Sequence, residues 1–283
     1  MTTGEETLRM APTRQMAVVT GASSGIGSAL ADELVEQGFD LVVAAEDEGI
    51  VETAERLTAR GAVVRPVRAD LSTFDGVEQL VSATGSVGRP IEVLAVNAGV
   101  GAGGGGGGDF ARDLDLDTEL RLVALNCAGS VHLAKRMLPD MVERHAGKVL
   151  FTSSIAAAAP GPYHAVYEAS KAFVGQLSQS LREELRDTGV TVTSLMPGPA
   201  DTKFFKRART QDTKPGSGPK EDPADVAREA YQGLMAGKDH VVVGSWRSKA
   251  QAAAARVMPA TAGAKTQRST TESGSDSSSD SKG

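Results

Sequence analysis

A tyrosine and a lysine four residues apart, Tyr167 and Lys171 in "YEASK", lie on one face of any helix that holds them, near enough for the ammonium to act on the phenol. The chemistry open to such a pair is proton transfer at oxygen. A free phenol titrates near pH ~10, so work near neutrality needs its pKa lowered by roughly three, or about 4 kcal/mol. A unit positive charge about 4 Å away at an effective dielectric of about 20 supplies that. The same four-residue spacing also occurs in an ordinary helix with a half-buried tyrosine and a solvated lysine, so the surroundings must decide.

A second chemical motif follows the apolar run "MAVVT". In "TGASSGIGSALADELVEQG", Gly21, Gly25 and Gly27 occupy a turn with a helix opening behind it. Glycines there let the backbone approach a pyrophosphate, whose charge a helix N-terminus stabilises. The stretch "GASSG" also satisfies the G-x-S-x-G nucleophile elbow of a serine hydrolase, with Ser23 as nucleophile. That alternative needs a downstream histidine, His164 or His240, and neither carries a partner motif.

The elements that must position these residues alternate in type. Strands are predicted at 16–20, 40–45, 62–70, 91–97, 147–153, 190–197 and 239–244, and helices at 25–37, 48–60, 73–84, 117–144, 165–187 and 222–236. This rhythm predicts βαβ units, a seven-stranded parallel sheet and helices on both faces: an α/β, doubly wound, Rossmann-like single domain over 15–260. Residues 1–14 are expected to be a flexible N-terminus. Residues 261–283 are polar and Ser-rich, and are expected to be a disordered tail. The run "GVGAGGGGGGDF" at 99–110 follows a strand's carboxyl end, so it reads as a flexible loop and a candidate rim of the ligand crevice.

Composition excludes several classes. The 283 residues are 40% apolar, enough for a large core, and the formal net charge of -6 argues against a sequence-independent nucleic-acid binder. The one cysteine, Cys127, allows neither an intramolecular disulfide nor a thiolate metal cluster, and the four histidines lack metal-ligand spacing. No metal is expected. The N-terminal segment lacks the apolar core of a signal peptide, and no apolar run approaches the ~20 residues that span a bilayer. A cytoplasmic protein without membrane partners is the expectation.

Taken together, T-G-x-x-x-G-x-G at 20–27, "NAG" at 97–99, Asn126, the pair Ser153-Ser154, "YEASK" at 167–171 and "PGPADT" at 197–202 resemble the short-chain dehydrogenase/reductase family over residues 15 to 245. The spacings, thirteen residues from Ser154 to Tyr167 and twenty-eight from Asn126 to Ser154, fit that family. The resemblance implies an NAD(P)-dependent oxidoreductase interconverting an alcohol and a carbonyl by hydride transfer. Tyr167 would be the acid/base, and Lys171 would lower its pKa and hold the nicotinamide ribose. Ser154 would polarise the substrate oxygen, and Asn126 would position a water leading from Lys171 to solvent. A catalytically silent nucleotide sensor on the same fold is the alternative.

The resemblance also implies cofactor contacts at Gly21, Ser24, Gly25, Ile26, Gly27, Asp70, Leu71, Asn97, Ala98, Gly99, Pro197, Gly198 and Thr202. Where the family shows N-N-A-G, this chain has Val96 before Asn97. NAD or NADP is read at the end of the second strand, where an acid accepts from a free 2'-hydroxyl and repels a 2'-phosphate. The family's usual acid position holds Ala45 and its NADP-reading arginine position holds Glu46. Glu46 and Asp47, with neutral Ser24, lean the reading towards NAD. The same two acids would also suit the start of the next helix. The substrate segment 198–220 offers Phe204 and Phe205 as an apolar lining, beside a charge run that also suits a solvated helix face. A homodimer or homotetramer is implied through the long helices at 117–144 and 165–187.

Overall fold

The computed structural model describes residues 14–101, 109–158, 163–198 and 221–244. Seven strands, β1 (Gln15–Thr20), β2 (Phe39–Ala45), β3 (Val64–Arg68), β4 (Ile91–Val96), β5 (Gly147–Thr152), β6 (Val190–Pro197) and β7 (His240–Val243), form a sheet in the order β3-β2-β1-β4-β5-β6-β7. Every neighbouring pair is parallel. The crossovers carry helices α1 (Gly25–Glu36), α2 (Gly49–Thr58), α3 (Phe74–Gly85), α4 (Leu116–Val123), α5 (Ser130–Glu143), α6 (Ala165–Glu184) and α7 (Pro223–Met235).

Strand alternation builds the two layers. Ala17, Val19, Leu41 and Val43 project to one face, where they bury Leu30 and Leu34 of α1 and Ala230 and Leu234 of α7. Met16, Val18, Val42 and Leu94 project to the other, against Leu80 of α3 and Leu133 and Met141 of α5. Because both faces are covered, β2 is buried along its whole length, "FDLVVAA". Each such aliphatic side chain contributes about 1.5–3 kcal/mol on burial. Asp40 is the polar exception in this strand: its carboxylate lies between Arg14 and Arg89 at 3.3 and 2.7 Å and accepts from the Val63 N–H at 2.9 Å.

Two expectations change. The strand expected over 62–70 is ordered as strand only at Val64–Arg68; it is the sheet edge, where Pro66 is tolerated. The helix expected without interruption over 117–144 is divided by a π turn at Ala124–Gly129, between α4 and α5. A wide turn of this kind takes one extra residue into the helix and rotates the side chains on it. Gly129 permits it, since a Cβ there would lie 2.3 Å from the Leu71 carbonyl oxygen. The sheet order reverses between β1 and β4, so the crevice outside the strands' carboxyl ends opens there.

Candidate active site

The β1–α1 turn has the backbone of a phosphate cradle. Gly21 has φ +68°, a conformation costly for any side chain, and a Cβ on Gly27 would lie 2.2 Å from the Gly21 carbonyl oxygen. Ser24 precedes α1 without capping it through its side chain, and the first turn, with Gly25, Ile26 and Gly27, holds no acid. The N–H groups of that turn are thus left for an anion. These residues fit the pyrophosphate of a dinucleotide.

The central strands are laced beside it. The Thr20 hydroxyl accepts from the N–H groups of Asn97 and Ala98, each at 2.9 Å, and donates to the Ala95 carbonyl at 3.2 Å. Asn97 Nδ2 donates to the Thr20 carbonyl, and Asn97 Oδ1 accepts from Thr152 Oγ1, both at 3.1 Å. One asparagine thereby ties β1, β4 and β5 together at the switch point. The serine in "GASSG" has a different task from the hydrolase alternative. Ser23 Oγ donates to Asp47 Oδ2 at 2.8 Å, and Asp47 Oδ1 accepts from the Gly49 N–H at 3.1 Å, so this pair starts α2.

Four of the sequence-predicted residues converge past this point. Ser154, beyond β5, is hydrogen-bonded to the Tyr167 side chain. One turn further along α6, Lys171 is buried and its Nζ donates to the Thr152 carbonyl at 2.9 Å. The adjacent Ser153 is not interchangeable with Ser154: its hydroxyl donates to the Lys171 carbonyl at 2.7 Å and fixes α6 against β5. Asn126, on the π turn, is 1% exposed. Its Nδ2 donates to Val100 O and Ser170 Oγ, and its Oδ1 accepts from Val100 N–H, each at 3.0 Å. A Cβ on Gly99 would lie 3.0 Å from Lys171 Nζ and 3.1 Å from Asn126 Oδ1, which locates all three residues at one spot. The Asn126 carbonyl accepts from Ser130 Oγ at 2.7 Å, so a water there would share that oxygen.

Burial dominates the electrostatics of the pair. The Tyr167 phenol is pushed up to about 12. Burial is the main cause; the Ser154 hydrogen bond opposes it and the Glu168 charge adds to it. Lys171 is brought down to about 8, again by burial, with Cys127 opposing. Burial is the leading cause for both groups, and the Lys171 ammonium is turned to the Thr152 carbonyl.

At the cleft's other end Asp70 follows β3. Burial raises its pKa, but hydrogen bonds from the Ser72 side chain and N–H, with the charge of Arg121, bring it below the ordinary value. Leu71 is buried beside it. Glu46 is exposed beyond β2, and its carboxylate accepts from Arg121 Nη2 at 2.7 Å. On the far side of the site, Pro197 ends β6 and the Gly198 N–H donates to the Val243 carbonyl at 3.2 Å. Thr202, Phe204, Phe205, the glycine run 102–108 and both chain ends lie outside the described residues.

Sequence reading missed Thr20, Thr152 and Arg121. The first two are strand-end threonines whose partners come from other strands, and Arg121 reaches an acid 75 positions away. Thr20 stands in the T-G-x-x-x-G-x-G motif without its role being read, and no local spacing marks Thr152 or Arg121.

Residues 15–213 match the family model described as short chain dehydrogenase. An uncharacterized oxidoreductase of Staphylococcus saprophyticus is 32% identical over 223 residues, covering 78% of this chain and 91% of that protein. The fold resembles that of a short-chain dehydrogenase from Sphingobium yanoikuyae in complex with NADPH, with a TM-score of 0.74 and 28% identity, covering 85% of this chain and 93% of that one. It also resembles a short chain dehydrogenase/reductase from Burkholderia phymatum in complex with NAD, with a TM-score of 0.76 and 26% identity, over 88% and 94% of the two chains. The chain belongs to the short-chain dehydrogenase/reductase family and is an NAD(P)-dependent oxidoreductase.

Proposed function

We propose that this enzyme interconverts an alcohol and a carbonyl on a small molecule, with Tyr167 as the group that gives or takes the proton at the substrate oxygen. The observation that carries the reading is the Ser154–Tyr167 hydrogen bond with buried Lys171 one turn away, at the carboxyl ends of the strands. When bound, the nicotinamide supplies or accepts the hydride. In reduction, Tyr167 Oη, protonated at neutral pH, donates its proton to the carbonyl oxygen while Ser154 holds that oxygen. In oxidation, Lys171 Nζ must leave Thr152 and bring its charge to the phenol. Asn126 keeps the π turn and Val100 in place around Lys171. A nucleotide sensor is not favoured: it has no use for a serine-tyrosine pair beside a buried lysine.

We further propose Glu46 as the acid that accepts from a free ribose 2'-hydroxyl, and hence NAD as the preferred cofactor. Asp47 is committed to Ser23 and Gly49. The likeness to the Burkholderia phymatum protein in complex with NAD supports this, while the Sphingobium yanoikuyae complex holds NADPH. Leu116, Leu120 and Val123 form an exposed stripe on α4, and Phe173 is exposed on α6. A second copy would cover it, giving the homodimer or homotetramer. No helix among the described residues is long and apolar enough to cross a membrane, and the proposed location is the cytoplasm.

The test is Tyr167→Phe, assayed for NADH oxidation against a panel of aldehydes and ketones and for NADH binding by fluorescence. Turnover should fall about 10³-fold with binding nearly intact. Retained turnover would overturn the assignment.

A further inference from the structure

The adenosine end of the cleft carries an ion pair that the proton chemistry does not use. Arg121 Nη2 donates to Glu46 Oε1 at 2.7 Å and to Asp70 Oδ2 at 3.3 Å. Glu46 follows β2 and Asp70 follows β3, so one guanidinium from α4 spans the ends of two adjacent strands. These two strand ends, with Leu71, are where the dinucleotide reading places the adenosine.

The other charges at this corner are taken. Asp47 is held by Ser23 and Gly49. Arg68 directs Nε to the Glu46 carbonyl at 3.1 Å and Nη1 to Glu48 at 2.9 Å, leaving the Glu46 carboxylate to Arg121. That pair is exposed, with side chains 47% and 59% accessible for Arg121 and Glu46, so it is weakly held and can exchange partners. A phosphate dianion competes with the single Nη2–Oε1 contact that Glu46 makes, because it carries about twice the charge of a carboxylate and can take the planar fork through two parallel hydrogen bonds. Among the described residues this corner holds the carboxylates of Glu46, Asp47, Glu48 and Asp70 against the guanidiniums of Arg68 and Arg121.

We propose that Arg121 is the specificity-determining cation of the adenosine subsite: Glu46 occupies it when the ribose carries a free 2'-hydroxyl, and a 2'-phosphate binds only by taking it from Glu46. This rests on the dinucleotide reading of the cleft. It makes the preference a competition between two anions for one arginine, where the residues after β2 alone would suggest simple repulsion.

The experiment is a double-mutant cycle read by NADH and NADPH fluorescence titration on wild type, Glu46→Gln, Arg121→Gln and the double variant, at two salt concentrations. Wild type should prefer NADH. Glu46→Gln should tighten NADPH about tenfold and steepen its salt dependence, because Arg121 then keeps only its longer contact to Asp70. The gain should vanish in the double variant. A gain that persists there would assign the phosphate to Arg68 or another cation and overturn the inference. So would a wild type that already prefers NADPH, leaving the dehydrogenase reading intact. Binding of neither nucleotide to wild type would overturn both.

Discussion

Lys171 Nζ donates to the Thr152 main-chain carbonyl at 2.9 Å, which seats an ammonium in a place that burial makes unfavourable for charge. Its pKa is about 8 against an ordinary 10.5, so between those values the unfolded chain binds the proton that the folded chain has lost. Stability therefore rises with pH from about 8 to about 10.5, and below 8 the full cost of the buried charge is present. Lys171→Met should raise the unfolding free energy at pH 7 by about 1–3 kcal/mol, after the lost hydrogen bond is set against the removed charge. It should also abolish turnover. Urea melts at pH 7 and pH 10 check this: the variant's advantage must shrink at the higher pH.

Gly27→Ala tests the cradle. The new methyl would meet the Gly21 carbonyl at 2.2 Å and Asn97 Nδ2 at 2.5 Å, so either α1 moves away from β1 or the Asn97 tie opens. We expect a loss of about 2–3 kcal/mol of stability and NADH binding weakened beyond what the melt alone explains. Calorimetry and fluorescence titration on the same sample separate the two effects.

Glu119 of α4 is 6% exposed, and neither carboxylate oxygen has a hydrogen-bond partner among the described residues. Burial raises its pKa above the ordinary 4.5, so stability falls as pH climbs from 4.5 to that raised value, above which the full cost of the buried carboxylate is present. Glu119→Gln should stabilise the protein by about 1 kcal/mol at pH 7 and by less at pH 4. Thermal melts at the two pH values decide it; equal shifts at both would mean that ionisation of this carboxylate costs the fold nothing.

Much of this architecture was legible because its signals are local. The apolar runs of β1 and β2 and the glycine turn before α1 each lie within about ten residues, and the Tyr167–Lys171 spacing holds on α6 as helical geometry requires. What escaped depends on contact between distant segments. The family spacing to Tyr167 singles out Ser154, but nothing near Ser153 reveals that its hydroxyl faces the α6 backbone. The π turn at Ala124–Gly129 is set by Asn126 reaching Val100 and by Gly129 meeting Leu71, neither visible in a helical pattern. Spacing says how near Lys171 can come to Tyr167; it does not reveal that the ammonium is turned to the Thr152 carbonyl.

That π turn also constrains heredity. A helix that holds one residue more than its regular count could be restored by losing a single codon between Ala124 and Gly129. The shortened helix would keep its length within about 1.5 Å and could still cover the sheet. Asn126 would swing away from Val100 and Ser170, and the clamp beside Lys171 would be gone. Along this lineage, in-frame deletions that a folding screen would pass are therefore among those that selection on activity must remove.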